Sequence, residues 1–191
     1  MIPMSYRVQA PRALAVAAIL VALALGSCKS LPDDDHTRQL AAQVQREFLH
    51  SWKGYVQYAW GHDALRPLSK TPHNWYGQSL LMSPVDALNT LILMHLDGEA
   101  DKTRELIATK LSFDRDIYVS HFEITIRLLG GLLSGYQLTN DKRLLLLAQD
   151  LGNRLLPTFD SPTGLPYGFI NLRTGKVRDP VTGPAGRAHS F

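Results

Sequence analysis

The sequence predicts an all-α protein built of paired helices, and three observations carry that prediction. Apolar residues recur at threes and fours along successive stretches, and from residue 80 onward the links between those stretches are only two to six residues long. Strand-like character is confined to a late Gly- and Pro-punctuated segment around residues 167–172, which suits a small β-hairpin or an extended loop. Helices with such short links fold back as antiparallel αα-hairpins, and several of these side by side make a helical bundle or an α/α barrel. With 191 residues, 45% of them hydrophobic, the chain is long enough to bury a core.

Residues 1–27 stand apart from that core. Arg7 and Arg12 precede a short apolar run, residues 13–25, which ends in small residues and reads as a secretory signal. Leu25-Gly26-Ser27-Cys28 resembles the bacterial lipoprotein signal, in which cleavage leaves Cys28 as a lipidated first residue. An ordinary signal peptide that happens to contain Cys28 is the alternative. The resemblance implies a periplasmic-facing, lipid-anchored protein of the bacterial cell envelope. Lys29 after the cysteine points to the outer membrane. Removing Arg7 and Arg12 leaves 18 basic against 17 acidic residues, so the excess of positive charge belongs largely to the signal. No Lys/Arg run interleaved with aromatics remains, and nucleic acid is excluded as a partner. With a single cysteine there is no intrachain disulfide and no thiolate metal site.

Residues 28–36 form a polar tether with Pro32 and three acids. From residue 37 to 60, Leu40, Val44, Phe48, Trp52, Tyr55 and Trp60 follow a helical period, with Gly54 weakening it by about 1 kcal/mol relative to Ala unless a neighbour packs there. Residues 61–75 break the period at Pro67 and Pro72 and read as an ordered loop. A second helix is expected over residues 80–96, with Ser83-Pro84 as cap and first-turn proline, Asp86 in the first turn and Gly98 as its end. Residues 101–111 are a shorter helix, and residues 142–159 a further one with a leucine-rich face. Trp52, Trp60 and Trp75 are read as core, with a sugar-stacking platform as the alternative.

Residues 118–136, YVSHFEITIRLLGGLLSGY, are the centre of the pattern. Glu123 and Arg127 lie four apart on one face that Gly130, Gly131 and Ser134 continue. Phe122, Ile126, Leu129 and Leu133 on one side and Ile124, Leu128 and Leu132 on the other predict a helix buried nearly all round. A carboxylate there is costly unless paired or used. Glu123 is therefore either a group with chemistry to do or half of an internal Glu–Arg pair.

In order along the chain, FLHSWKGYVQYAWGHDALRPLS, PVDALNTLILMHL, VSHFEITIRLLGGLLSGYQLTND and LAQDLGNRLLPTFDSPTGLPYGFINLRTGK resemble the class I alpha-mannosidases, glycoside hydrolase family 47. The resemblance implies an α/α barrel of paired helices, of which residues 37–191 are the N-terminal part. It also implies Ca²⁺ at the base of a central cavity and inverting hydrolysis of alpha-1,2-linked mannose in a mannose-containing oligosaccharide. Glu123 matches the general acid, and Arg127 an arginine that binds mannose in the cleavage subsite. His62, Asp63 and Asp86 match residues that shape the cavity wall or contact substrate. Asn89 stands where the family has Asp, and His95 where it has Gly. The calcium ligand, the catalytic base and a further catalytic Asp of the family have no counterpart in these 191 residues, and no metal ligand is assigned within them. The histidines show no His-x-x-x-His spacing for a transition metal. A non-catalytic mannose-recognition or interaction lipoprotein is the alternative reading, and a helical lipoprotein without sugar function a third.

Overall fold

The computed structural model describes residues 35–178. The signal, the tether with Cys28 and the last thirteen residues lie outside them. Two compact units divide after Arg46. In the first, residues 35–46 belong to the opening helix, α1 (Asp35–Ala59), and leave Leu40 and Val44 exposed. The second unit, from Glu47 onward, holds the rest of α1 and every later element.

The C-terminal half of α1 buries Trp52, Tyr55 and Ala59 in a cluster with Leu91 and Ala100. Phe48 stacks on Trp52 and Trp52 on Tyr55, with Trp60 edge-on to both Trp52 and Tyr55. Their polar ends are satisfied: Trp52 Nε1 donates to Glu99 and Tyr55 Oη to the His62 carbonyl. A Cβ on Gly54 would meet Leu65 at an ordinary 3.8 Å, so this glycine is not demanded by close packing. The expected loop after α1 contains a short antiparallel hairpin, β1 (Ala64–Arg66) and β2 (Thr71–His73). Pro72 is tolerated in it because a two-stranded ribbon consists only of edges.

The second helix, α2 (Met82–Leu93), is shorter than its apolar pattern suggested and starts differently. Ser83 does not cap it. Leu81 occupies the N-cap in the left-handed region, and the Asp63 carboxylate, brought from far upstream, accepts from the Leu80 and Met82 amides. Asp86 consequently lies beyond the first turn. Gly98 does not end α2 either. The turn comes at residues 94–96, and Gly98 lies inside α3 (Asp97–Lys110). His95 makes that turn with φ at 54°, a conformation glycine enters freely and His only at some cost. That is the physical cost of a His at the position where the resemblance implies Gly.

Residues 118–120 do not join the central helix. They form β3 (Tyr118–Ser120), the edge strand of an antiparallel sheet with β4 (Phe169–Asn171) in the middle and β5 (Val177–Arg178) beyond it. Helix begins at α4 (His121–Ile124), passes through a π-helical turn (Thr125–Leu129) and continues as α5 (Gly130–Thr139). Ile124, Leu128 and Leu132 are fully buried as expected. Phe122 (64% exposed), Ile126 (52%) and Leu133 (40%) are not, and of that row only Leu129 packs partly against the core, so burial all round is overturned. Asp141 then caps α6 (Lys142–Leu155) by accepting from the Arg143 amide, and a 3₁₀ turn (Leu156–Phe159) comes next.

Consecutive helices pack as pairs, α2 with α3 and α5 with α6, and α2 also crosses onto α5. Val85, Leu88, Ile107, Leu128, Leu144 and Leu151 meet in the core between them. Paired helices layered in this way make up part of an α/α barrel. Among the described residues no helix is long and apolar enough to cross a membrane.

Candidate active site

Three side chains from two helices converge at the start of the central rod. Ser120 closes the first turn of α4 by accepting from the Glu123 amide at 3.4 Å, which fixes where Glu123 leaves the backbone. One turn on, Arg127 lies in the π-helical turn, where the backbone amide of Gly130 reaches Thr125, five residues back. Such turns inside α-helices recur at functional sites, because they re-aim side chains relative to a regular helix.

Arg127 Nε donates to Glu123 Oε2 at 2.7 Å, and Arg127 Nη1 to Asp86 Oδ2 of α2 at 3.0 Å. The guanidinium also lies 5.0 Å from the centre of the Trp75 ring. None of the three charged groups is sealed: about a third of each side chain faces solvent. Partial burial pushes the Asp86 carboxyl above the ordinary carboxylate range, while its hydrogen bond to Arg127 opposes the rise. Arg127 is held above its usual value, chiefly by the bond to Glu123. Burial also raises the Tyr76 phenol, whose oxygen accepts from the Ser120 amide at 3.4 Å beside this cluster. Two carboxylates around one guanidinium, with an aromatic ring alongside, form a site that can hold polyol hydroxyls and exchange a proton with one of them.

The close approach of α2 to α5 brings Asp86 to Arg127. A Cβ on Gly131 would stand 2.7 Å from Val85 Cγ1 and 3.3 Å from the Val85 carbonyl, and one on Gly135 3.0 Å from Leu88 Cδ2. Gly131 therefore has a packing role. Its neighbour Gly130 does not, since it is exposed and would meet only its own helix's Thr125 carbonyl. Next to Asp86 opens a groove of about 320 Å³ lined by Phe48, Ser51, Trp52, Tyr55, Ser83 and Thr90.

Of the sequence-predicted residues, Glu123, Arg127 and Asp86 come together. Asp63 does not join them. It is 1% exposed, and its carboxylate is occupied by the amides of Trp75, Leu80 and Met82 and the Ser79 hydroxyl, so it organises the loop rather than facing a ligand. His62 pairs with Asn74 through Nδ1 at 3.2 Å. Asn89 Oδ1 is buried and lacks a hydrogen-bond partner among the described residues, and an ionised Asp in the same place would be costlier still. Sequence reasoning assigned Trp75 to the core, but it is 39% exposed at the site. Its signal was available: a tryptophan in a loop between Pro72 and Pro84 has no helical face to be buried by. Among the described residues no three His, Cys, Asp or Glu side chains are grouped to hold a metal ion. Ca²⁺ takes six to eight oxygens, so these residues do not by themselves fit it.

Residues 47–189 match the family model described as glycosyl hydrolase family 47. The chain is 43% identical over 162 residues to a mannosyl-oligosaccharide 1,2-alpha-mannosidase of Arabidopsis thaliana, covering 85% of this chain and 29% of that protein. It is 45% identical over 133 residues to the endoplasmic reticulum mannosyl-oligosaccharide 1,2-alpha-mannosidase of Homo sapiens, covering 70% and 19%. The fold superposes on the alpha-1,2-mannosidase from Trichoderma reesei with a TM-score of 0.65 at 30% identity, over 73% of this chain and 31% of the other. The chain thus spans between a fifth and a third of the length of these relatives. The match takes in every element that builds the site, and the chain belongs to glycosyl hydrolase family 47.

Proposed function

We propose that the protein serves in the hydrolysis of alpha-1,2-linked mannose from mannose-containing oligosaccharides, with Glu123 as general acid and Arg127 as a ligand for the mannose in the cleavage subsite. The observation that carries this reading is the Arg127 fork, which binds Glu123 through Nε and Asp86 through Nη1 in a chain belonging to this family. Arg127 occupies Glu123 Oε2, so the acid's proton belongs on Oε1, from which it is delivered to the leaving sugar oxygen. Asp86 keeps the guanidinium from swinging onto that second oxygen. Inversion requires another carboxylate about 6.5 to 9.5 Å from the acid to activate water on the opposite face of the sugar. That base, and the oxygen ligands for the Ca²⁺ characteristic of the family, come from the parts of the barrel that the relatives have beyond the matched segment. Bound there, calcium would orient sugar hydroxyls and water.

In a complete form of the enzyme, Glu123→Gln lowers the rate of alpha-1,2-mannobiose hydrolysis about 10² to 10⁴-fold with the folded state retained. Arg127→Ala mainly weakens mannoside binding. Hydrolysis by Glu123→Gln at the parent rate would remove Glu123 from the chemistry. A non-catalytic mannose-binding role draws on the same fork: two carboxylates sharing one arginine are suited to holding a sugar as much as to cleaving it.

The location is proposed with the function. Lipidation at Cys28, by resemblance to the lipoprotein signal, places the domain on the periplasmic face of a bacterial membrane, with Lys29 favouring the outer membrane. The several acyl chains of a lipoprotein hold firmly where one alone binds weakly. Cys28→Ser then yields an unprocessed or released protein on fractionation, and a processed, membrane-bound Cys28→Ser protein contradicts the assignment.

A further inference from the structure

We infer that Trp75 is a positioning residue of this site: its indole carries the Arg127 guanidinium, and the buried Asp63 carboxylate holds the Trp75 backbone where it can do so. The inference rests on the mannosidase reading only for what Arg127 binds, since the stack and its support are features of the chain itself. Arg127 is a long side chain, about a third exposed, and its two hydrogen bonds use Nε and Nη1. A planar guanidinium on an indole face loses the freedom to rotate its fork away from both carboxylates. The ring centre lies 5.0 Å from Arg127 Cζ, and the indole, 39% exposed, is at the open side of the site.

Nothing helical fixes Trp75, which sits in the loop between β2 and α2. One carboxylate does. Asp63 Oδ2 accepts from the Trp75 amide at 3.0 Å, while Oδ1 accepts from Leu80 N at 2.7 Å, Met82 N at 3.2 Å and Ser79 Oγ at 3.3 Å. Asn74 Oδ1 completes the fold of the loop by accepting from the Asp63 amide at 3.2 Å. The same buried anion thus fixes both ends of the segment: Trp75, which lies against Arg127, and Met82, the first residue of the helix that presents Asp86 to Arg127. Two of the three neighbours that orient the guanidinium are referenced to Asp63; the third, Glu123, comes from Arg127's own rod. The remaining ionisable group beside them is Tyr76, next in the chain to Trp75.

The oxygen assignment makes the role separable from general loop stability. In Asp63→Asn the side-chain NH₂ faces fewest donors at the Oδ2 position, where it meets only the Trp75 N–H. The variant therefore releases Trp75 while Leu80 and Met82 keep their acceptor. In the full chain, labelled with ¹³C and ¹⁵N, the Arg127 Hδ and Nε–H resonances report the indole ring current, and the Asp86 carboxyl carbon reports Arg127's charge. The expected result is loss of the upfield ring-current shift in Trp75→Leu and also in Asp63→Asn, which still contains the tryptophan. In both variants the Asp86 carboxyl titrates at higher pH than in the parent, because Arg127 no longer favours its ionised form. Trp75→Phe recovers part of each change. Parent-like Arg127 and Asp86 signals in Trp75→Leu overturn the positioning role; a parent-like Asp63→Asn spectrum overturns Asp63 as its support. Should Asp63→Asn not fold, the two substitutions at partly exposed Trp75 still decide the first claim. Mannobiose hydrolysis by a complete form of the enzyme separates this from the function proposed above: parent-rate hydrolysis by Glu123→Gln counts against the mannosidase reading and leaves the stack intact.

Discussion

Arg127 has a different environment on each side, and that asymmetry explains its value to the site. Glu123 is four residues back on the same rod, so their 2.7 Å bond follows from helical geometry and persists through the π-helical turn. Asp86 is 41 positions away and reaches Arg127 only because two helices pack closely. An exposed ion pair is worth about 0 to 1 kcal/mol, so neither bond does much for stability at this degree of exposure. Their contribution is directional. Asp86 also carries the clearest pH signature among the site's acids. Burial raises its carboxyl from the ordinary 3.8, so by linkage its proton favours the folded state. The associated stability is fully present below the unfolded value and is lost as pH rises through the folded one. Asp86 thus costs stability at neutral pH, and Arg127 offsets that cost in part.

At the scale of elements, α2 against α5 is the contact on which the site depends. It is made possible by the absence of a side chain at Gly131, where a Cβ would collide with Val85 at 2.7 Å and crowd its carbonyl at 3.3 Å. Gly131→Ala is therefore predicted to destabilise by about 1 to 3 kcal/mol, read as a lower denaturant midpoint, despite alanine's better helix propensity. Gly130→Ala is the control. Its Cβ meets only the Thr125 carbonyl at 3.7 Å and φ is −61°, so the substitution should be neutral or stabilising by up to about 1 kcal/mol. Equal losses at both positions would show that the helices do not approach as described. The helical periods, the start of α6 at residue 142 and the Glu123–Arg127 pairing were all legible in the sequence. The start of α2 was not, because its cap is Asp63, a residue outside any local motif.

At the scale of the whole molecule, the row Phe122, Ile126 and Leu133 is exposed along the rod that carries Glu123 and Arg127. Contiguous apolar surface of this kind favours association. The carboxylates assembled at the site are Glu123 and Asp86, and no grouped acidic ligands for a hard cation occur among the described residues. The 191-residue chain by itself is therefore predicted to release no mannose from alpha-1,2-mannobiose above a Glu123→Gln control, with or without calcium, and to elute from a sizing column in part as oligomers. Mannose release requiring both Glu123 and calcium would show that these residues supply a full catalytic set.

The sequence by itself determined the helical class, the order of the motifs and the shared face of Glu123 and Arg127, because each follows from spacing within one helix or from a short stretch of chain. It misassigned the surroundings of that face. Whether Phe122 is buried, whether Trp75 is core or site, and whether Asp63 meets a ligand or a loop depend on neighbours that lie far away in the chain. Only the tertiary structure brings those neighbours together: α2 against the glycines of α5, the 74–81 loop around one buried carboxylate, and β3 into a sheet with strands about 50 residues later. Periodicity encodes which residues of an element share a face; what that face meets is decided by packing between elements, and so is the completed site.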